Sequence, residues 1–150
     1  MTTQTKSGKV QVRFMKPKDI DAIFDVDRTL LGEERAATLI SLATEEFKEE
    51  PDLSLVAEAD NQLVGFILAR HTYVGEPVVE ASVIQGIGIH PLYQGQGIGA
   101  RLVEALIERS QSKGIKTIRV MISNRDSRIE GFFSKINFRR AKLVVLDRII

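Results

Sequence analysis

Ile87-Gly-Ile-His-Pro-Leu-Tyr-Gln-Gly-Gln-Gly-Ile-Gly-Ala-Arg-Leu102 is the stretch that decides the fold. An apolar, β-branched run ends at Pro91, and a glycine-rich turn leads straight into a helical pattern. Glycines 95, 97 and 99 let the backbone approach a ligand with no Cβ in the way. Ile98, Leu102, Val103, Leu106 and Ile107 then recur at the steps of an amphipathic helix, which Lys113-Gly114 closes. The first N–H groups of a helix point outward without helical partners, and the helix dipole adds partial positive charge. Strand, glycine turn and helix start together suit a phosphate or pyrophosphate. Arg101 adds charge at the rim. Two familiar phosphate patterns do not fit. No glycine here is followed by lysine and a hydroxyl in the P-loop frame. Gly95-x-Gly97-x-Gly99 is not GxGxxG, and no acidic residue ends a following strand.

Outward from this stretch, Val78 to His90 reads as a central strand, with Gly86 and Gly88 marking a bulge or close approach. Lys116 to Ile122 alternates as another strand, and the β-α-β run from Val83 to Ile122 implies a parallel pair. Upstream, Leu53–Ala59 and Gln62–His71 form a hairpin around Asp60-Asn61, and Tyr73 to Pro77 reads as a loop. Val10, Val12 and Phe14 give a first strand. Ile20, Ile23, Phe24 and Leu31 mark a helix opened by Asp19 or by the Lys16-Pro17 turn, and Ala36, Ile40, Ala43 and Phe47 mark a second. Downstream, Ile129, Phe132, Phe133 and Ile136 make a short helical stripe. From Phe138 through Lys142–Asp147 the last strands are expected. The fold class is α/β of the α+β type. A central mixed, mostly antiparallel sheet with one parallel βαβ pair is flanked by about four helices. Residues 1–8 read as a disordered polar tail and 9–150 as a single domain.

The 150 residues allow one domain with a real core. With 43% hydrophobic and 27% charged residues, intrinsic disorder and collagen-like repeats are excluded. Twenty-one basic against 20 acidic residues leave a formal charge of +1, so a global reason to bind nucleic acid or membrane is lacking. Without cysteine there are no disulfides, thiolate metal sites or cysteine nucleophiles. The two histidines lack partners at ligand spacing, so no metal is expected. The first ten residues lack the apolar middle of a signal peptide, and a cytoplasmic setting is expected.

Gln94-Gly-Gln-Gly97-Ile-Gly99 fits the pattern Gln/Arg-x-x-Gly-x-Gly/Ala. With the preceding Ile-x-Ile-His-Pro strand end, it resembles the acyl-coenzyme A site of the GNAT superfamily of N-acetyltransferases, and the order of elements is also that family's. The resemblance implies acetyl-CoA as cosubstrate, with the pyrophosphate on the backbone N–H groups of Gln94, Gly95, Gln96, Gly97, Ile98 and Gly99, and Ala100 close by. It implies that the strand edge at Ile87, Gly88 and Ile89 binds the pantetheine arm, and that the Ile89 N–H polarises the thioester carbonyl. Phe132-Phe-Ser-Lys-Ile-Asn-Phe138 resembles the family's Phe-Tyr-Glu-Lys-Leu-Gly-Phe segment. There Asn124 or Asp126 would take the polar contact to coenzyme A. Phe133 would be an apolar wall against the cosubstrate or a core aromatic.

The family's proton-transfer pattern is absent. Val83 stands where the resemblance implies a glutamate base, and Phe133 where it implies a tyrosine acid. Glu80, Tyr93, His71, Tyr73 and His90 are the replacement candidates, with Glu80 and Tyr93 put first. Each also has a plain structural role open to it, at a strand edge, a turn or the core. Positioning and the Ile89 amide, with water carrying protons, are another route. The expected activity is acetyl transfer to a primary amine of a small molecule or peptide by direct attack in a ternary complex. The alternative is a non-catalytic acyl-coenzyme A binding or sensing module. The family's frequent dimers imply a homodimer as an option, with the last strands as a contact.

Overall fold

The computed structural model describes residues 9–31 and 53–150, so the expected tail (1–8) and second helix (Ala36 to Phe47) lie outside the described residues. Among these described residues five strands, β1 (Gln11–Phe14), β2 (Leu55–Ala59), β3 (Gln62–Val74), β4 (Val79–Ile89) and β5 (Ile118–Val120), form one sheet in the order β1-β2-β3-β4-β5. The first three pairings are antiparallel and β4–β5 is parallel. Among the described residues three helices accompany them: α1 (Ile20–Leu31), α2 (Ile98–Ser112) and α3 (Ser127–Lys135). The parallel pair is joined by α2, as such a crossover requires.

Strand alternation sorts the core onto the two sheet faces. Leu55, Ala57, Ile67, Ala69 and Ile84 pack with Leu102, Val103 and Leu106 of α2. Val56, Phe66 and Leu68, the residues between, pack with Ile23 and Val26 of α1. A short turn (Pro17–Asp19) leads into α1, and the Lys16 N–H donates to the Asp19 carboxylate at 2.7 Å. Arg13 forks onto Asp19 at 2.8 Å and reaches Glu58 at 2.6 Å, tying β1, this turn and β2 together. Burial alone would raise the Asp19 pKa. The bonds from Arg13 and the Lys16 amide outweigh it and hold the carboxyl below its ordinary value.

Several expectations are corrected. β3 runs on to Val74, because Tyr73 and Val74 pair with Glu80 and Val79, so the loop is shorter than Tyr73 to Pro77. β5 pairs over only three residues. The last strands do not form: residues 139–150 are exposed and in no strand. A strand needs a neighbour to bond to, and these residues have none in the sheet.

Candidate functional site

β4 is out of phase with itself. Ala69 pairs with Ile84 but Leu68 pairs with Gly86, so Gln85 is an extra residue, a β-bulge. Below the bulge, β4 pairs with β5 through Ser82–Ile84; above it, no strand lies alongside that edge among the described residues. The His90 N–H donates to the Val64 carbonyl at 2.8 Å, which makes those two a hydrogen-bonded pair. Such pairs alternate along antiparallel strands. Gly88 therefore bonds Phe66, while Ile87 and Ile89 turn their N–H and C=O groups to the opposite edge. The Gln94 side-chain Nε2 donates to the Ile89 carbonyl there at 3.0 Å. The edge carrying Ile87 and Ile89 is thus open to an added amide chain, and Gln94 ties its upper end to the glycine turn.

The turn itself is built on left-handed backbone. Gly95 and Gly97 have φ of 79° and 78°, and a Cβ at either would meet nothing within 4 Å. Glycine is needed there for conformation, and the space beside the turn is free. Gly97 caps α2, whose first intrahelical bond runs from the Arg101 N–H to the Gly97 carbonyl at 3.1 Å. The amides of Ile98, Gly99 and Ala100 precede it in the first turn and have no helical acceptor. Gly99 faces Phe132: a Cβ would come within 3.1 Å of the ring's Cζ. These donors, the open strand edge and the helix dipole fit a pyrophosphate followed by an amide-bearing arm.

The other sequence candidates fall in different places. Phe133 is 2% exposed, with the Phe132 and Phe138 rings 4.9 and 5.0 Å away, and belongs to the core. The core role applies to it, and the half-buried Phe132 is the aromatic beside the turn. Asp126 accepts from the Ile129 N–H at 3.1 Å and caps α3, while Asn124 is exposed just before it. The structure therefore gives Asp126 a capping role that Asn124 does not share. Buried Tyr93 donates its hydroxyl to Asp60 at 2.9 Å. Its pKa is raised, first by burial and then by that carboxylate. Glu80 bonds His71 at 3.1 Å, and His71 packs at 5.6 Å from the Tyr73 ring. That cluster sits at the start of β4, nine residues before Ile89, or about 30 Å along a strand. The structure does not bring Glu80 to the Ile89 amide. Val83 pairs with Arg70, and His90 accepts from the Leu92 N–H, as a turn residue does. Among the described residues no group of three or more acidic or histidine side chains could hold a metal.

Sequence reasoning located the turn but not two of its supports. Phe132 and Phe133 are adjacent in one apolar stripe, and only the docking of α3 decides which ring meets Gly99. The use of the Gln94 side chain carried no signal beyond the residue type.

The acetyltransferase (GNAT) family model matches residues 20–138. The chain is 32% identical over 107 residues to the uncharacterized N-acetyltransferase YjhQ of Escherichia coli (strain K12). That alignment covers 69% of this chain and 58% of the relative's length. Among solved structures, a transcriptional regulator from Bacillus halodurans C-125 superposes with a TM-score of 0.75 at 22% identity, covering 95% of this chain and 100% of the other. The aminoglycoside acetyltransferase AAC(6')-Iy, solved with a bisubstrate analog, gives 0.76 at 18% identity, covering 95% and 99%. At these identities the superpositions show the fold.

Proposed function

This chain belongs to the acetyltransferase (GNAT) family, and from that premise we propose that it transfers an acetyl group from acetyl-CoA to a primary amine by direct attack. The observation that carries the proposal is the convergence of two donor sets. The open edge of β4 at Ile87 and Ile89 leads to the glycine turn and the amides of Ile98, Gly99 and Ala100 at the start of α2, with the Gln94 side chain joining them.

The turn amides hold the pyrophosphate, and the strand edge pairs with the pantetheine amides as an added strand would. Asn124 makes a further polar contact at the rim. The Ile89 N–H donates to the thioester oxygen and favours the charge that develops there. The amine nitrogen attacks the carbonyl carbon, the C–N bond forms and the C–S bond breaks. The sulfur leaves as thiolate, and the proton lost by nitrogen passes through water. Val83 and Phe133 offer no base or acid, so positioning and the Ile89 amide carry the rate. Tyr93 and Glu80 serve the fold, since the hydroxyl of one donates its hydrogen bond to Asp60 and the other lies far down the strand. Free cysteine is absent from the chain, which leaves direct attack in a ternary complex rather than a cysteine-bound acyl group. The acceptor is a small-molecule or peptide amine, and a cytoplasmic setting agrees with the cysteine-free sequence.

Calorimetric titration with acetyl-CoA, followed by thiol release with an amine panel, tests this. The protein adds no thiol of its own to the readout. Binding with amine-dependent release is expected. Absence of binding would refute the site, and tight binding with no release above water would mark a non-catalytic acyl-coenzyme A module instead.

A further inference from the structure

The fork between β4 and β5 limits where an acceptor can stand. An acyl arm laid on the open edge of β4 passes Ile89 and Ile87 and must stop where β5 closes that edge, at the pairing of Ile84 with Val120. On one face of the sheet the fork is filled: Ile84 belongs to the core under α2, and Ile118 and Val120 lie against that core. The acceptor therefore comes from the other face, the face of α1. There the apolar cover given by Ile23 and Val26 ends at Phe66 and Leu68, and the next residue of β3 on that face, Arg70, is exposed.

At this level the sheet carries one row across three strands. Arg70 of β3 pairs with Val83 of β4, and Val83 pairs with Arg119 of β5. Ser82, bonded to Ser110 of α2, and Ile84 turn the other way, so the row lies on the α1 face. A neutral valine thus stands between two arginines, on strands roughly 4.8 Å apart. Arg70 is already engaged in a contact of its own. Arg119 is half-buried, and its side chain makes no hydrogen bond or ion pair among the described residues, with Glu76 of the β3–β4 turn included. One terminal nitrogen of Arg119 lies 3.6 Å from where a Cβ on Gly75 of that turn would stand, so the guanidinium is held against the protein. A planar fork of donors in such a place is matched by a carboxylate or a phosphate.

On the premise of the acetyl transfer proposed above, we propose that the acceptor is an amine that also carries an acidic group, a carboxylate or a phosphate, which Arg119 binds while the nitrogen meets the thioester at the fork. The acidic group keeps its charge and takes no part in the bond changes. Arg119 leans toward Gly75, away from the glycine turn, so the acidic group is set several bonds from the reacting nitrogen. A linear amino acid, an acidic peptide or a phosphorylated amine has this form. A polycationic acceptor does not, since Arg119 would repel it.

Thiol release from acetyl-CoA is compared within two pairs of amines that differ in charge alone: aminohexanoate with its amide, and aminohexyl phosphate with aminohexanol. The kcat/KM should favour the charged member of one pair or both by about 10- to 100-fold, and the larger ratio tells carboxylate from phosphate. Arg119→Gln should bring the ratio to about one, with the acetyl-CoA KM and the far-UV circular dichroism unchanged, while Arg119→Lys keeps most of it. Calorimetric binding of the charged amines to the coenzyme A-loaded protein is read in parallel and should be lost in Arg119→Gln. Equal release from charged and neutral members, or a preference that survives Arg119→Gln, overturns the proposal and leaves acetyl transfer standing. Release from none of the four, with binding that depends on Arg119, keeps the acid-binding site and removes the transfer. Binding that is absent, or indifferent to Arg119→Gln, overturns the proposal whatever the release.

Discussion

Replace Gly97 and Gly131, one at a time, with alanine. Neither new methyl group would touch anything within 4 Å, so sterics between side chains play no part in either variant. Backbone conformation alone separates them. Gly97 sits at φ 78°, where an L-residue costs roughly 1–2 kcal/mol. Reduced freedom of the unfolded chain returns about 0.4–1 kcal/mol of that. The net loss is about 1 kcal/mol. Gly131 lies inside α3 with no positive φ, where alanine is better by roughly 0.5–1 kcal/mol. For a chain this size, 1 kcal/mol moves Tm by about 2–4 °C. Gly97→Ala should therefore lower Tm by a few degrees and Gly131→Ala should raise it. The same pair should split on ligand binding: calorimetry should find coenzyme A weakened by Gly97→Ala, whose turn amides reorient, and unchanged by Gly131→Ala. Two Tm shifts of the same sign would refute the reasoning, because it rests on conformation at one residue.

Gln94→Ala removes one neutral hydrogen bond to the Ile89 carbonyl, and kcat should fall about 2- to 10-fold with a smaller change in the acetyl-CoA KM. An unchanged kcat would remove Gln94 from the positioning of Ile89. Tyr93→Phe should lower Tm yet leave kcat within about threefold, whereas a proton donor would contribute about 10²-fold or more. Arg13→Met should cost about 1–3 kcal/mol at neutral pH, since it leaves the Asp19 carboxylate buried without its fork. Arg13 holds the Asp19 and Glu58 pKa values below their ordinary levels, so their stabilisation is complete above about pH 4–5. It is lost as pH falls through the lowered folded values. Urea unfolding from pH 7 to 2 should therefore show the deficit of Arg13→Met shrinking in acid.

The sequence made the βαβ crossover, the hairpin at Asp60-Asn61 and the glycine turn legible because each depends on local rules: periodicity, turn chemistry and backbone freedom. What escaped it depends on neighbours. Gly86 and Gly88 announced an irregularity in β4, but the extra residue is Gln85, which only the pairing with Leu68 and Ala69 reveals. Phe132 and Phe133 look equivalent until α3 is docked. Glu80 seemed near the chemistry as a residue number, and strand rise takes it away. The stretch from Lys142 to Asp147 has strand composition, yet a ladder requires an edge as well as a sequence.

The bulge at Gln85 acts as a parity switch. Below it the even-numbered residues of β4 aim their amides at β5, as the bond from the Ser82 N–H to Thr117 shows. Above it the odd-numbered residues face that side. A deletion of Gln85 would keep every residue of the glycine turn and nearly all of the strand. It would also leave Ile87 and Ile89 on the open edge and Gly86 and Gly88 facing β3, because the residue removed is the one the ladder already skips. A chain of the same length that paired Gln85 regularly, with no bulge, would instead turn Ile87 and Ile89 to β3, keeping the signature of the site while offering the wrong face of its own backbone.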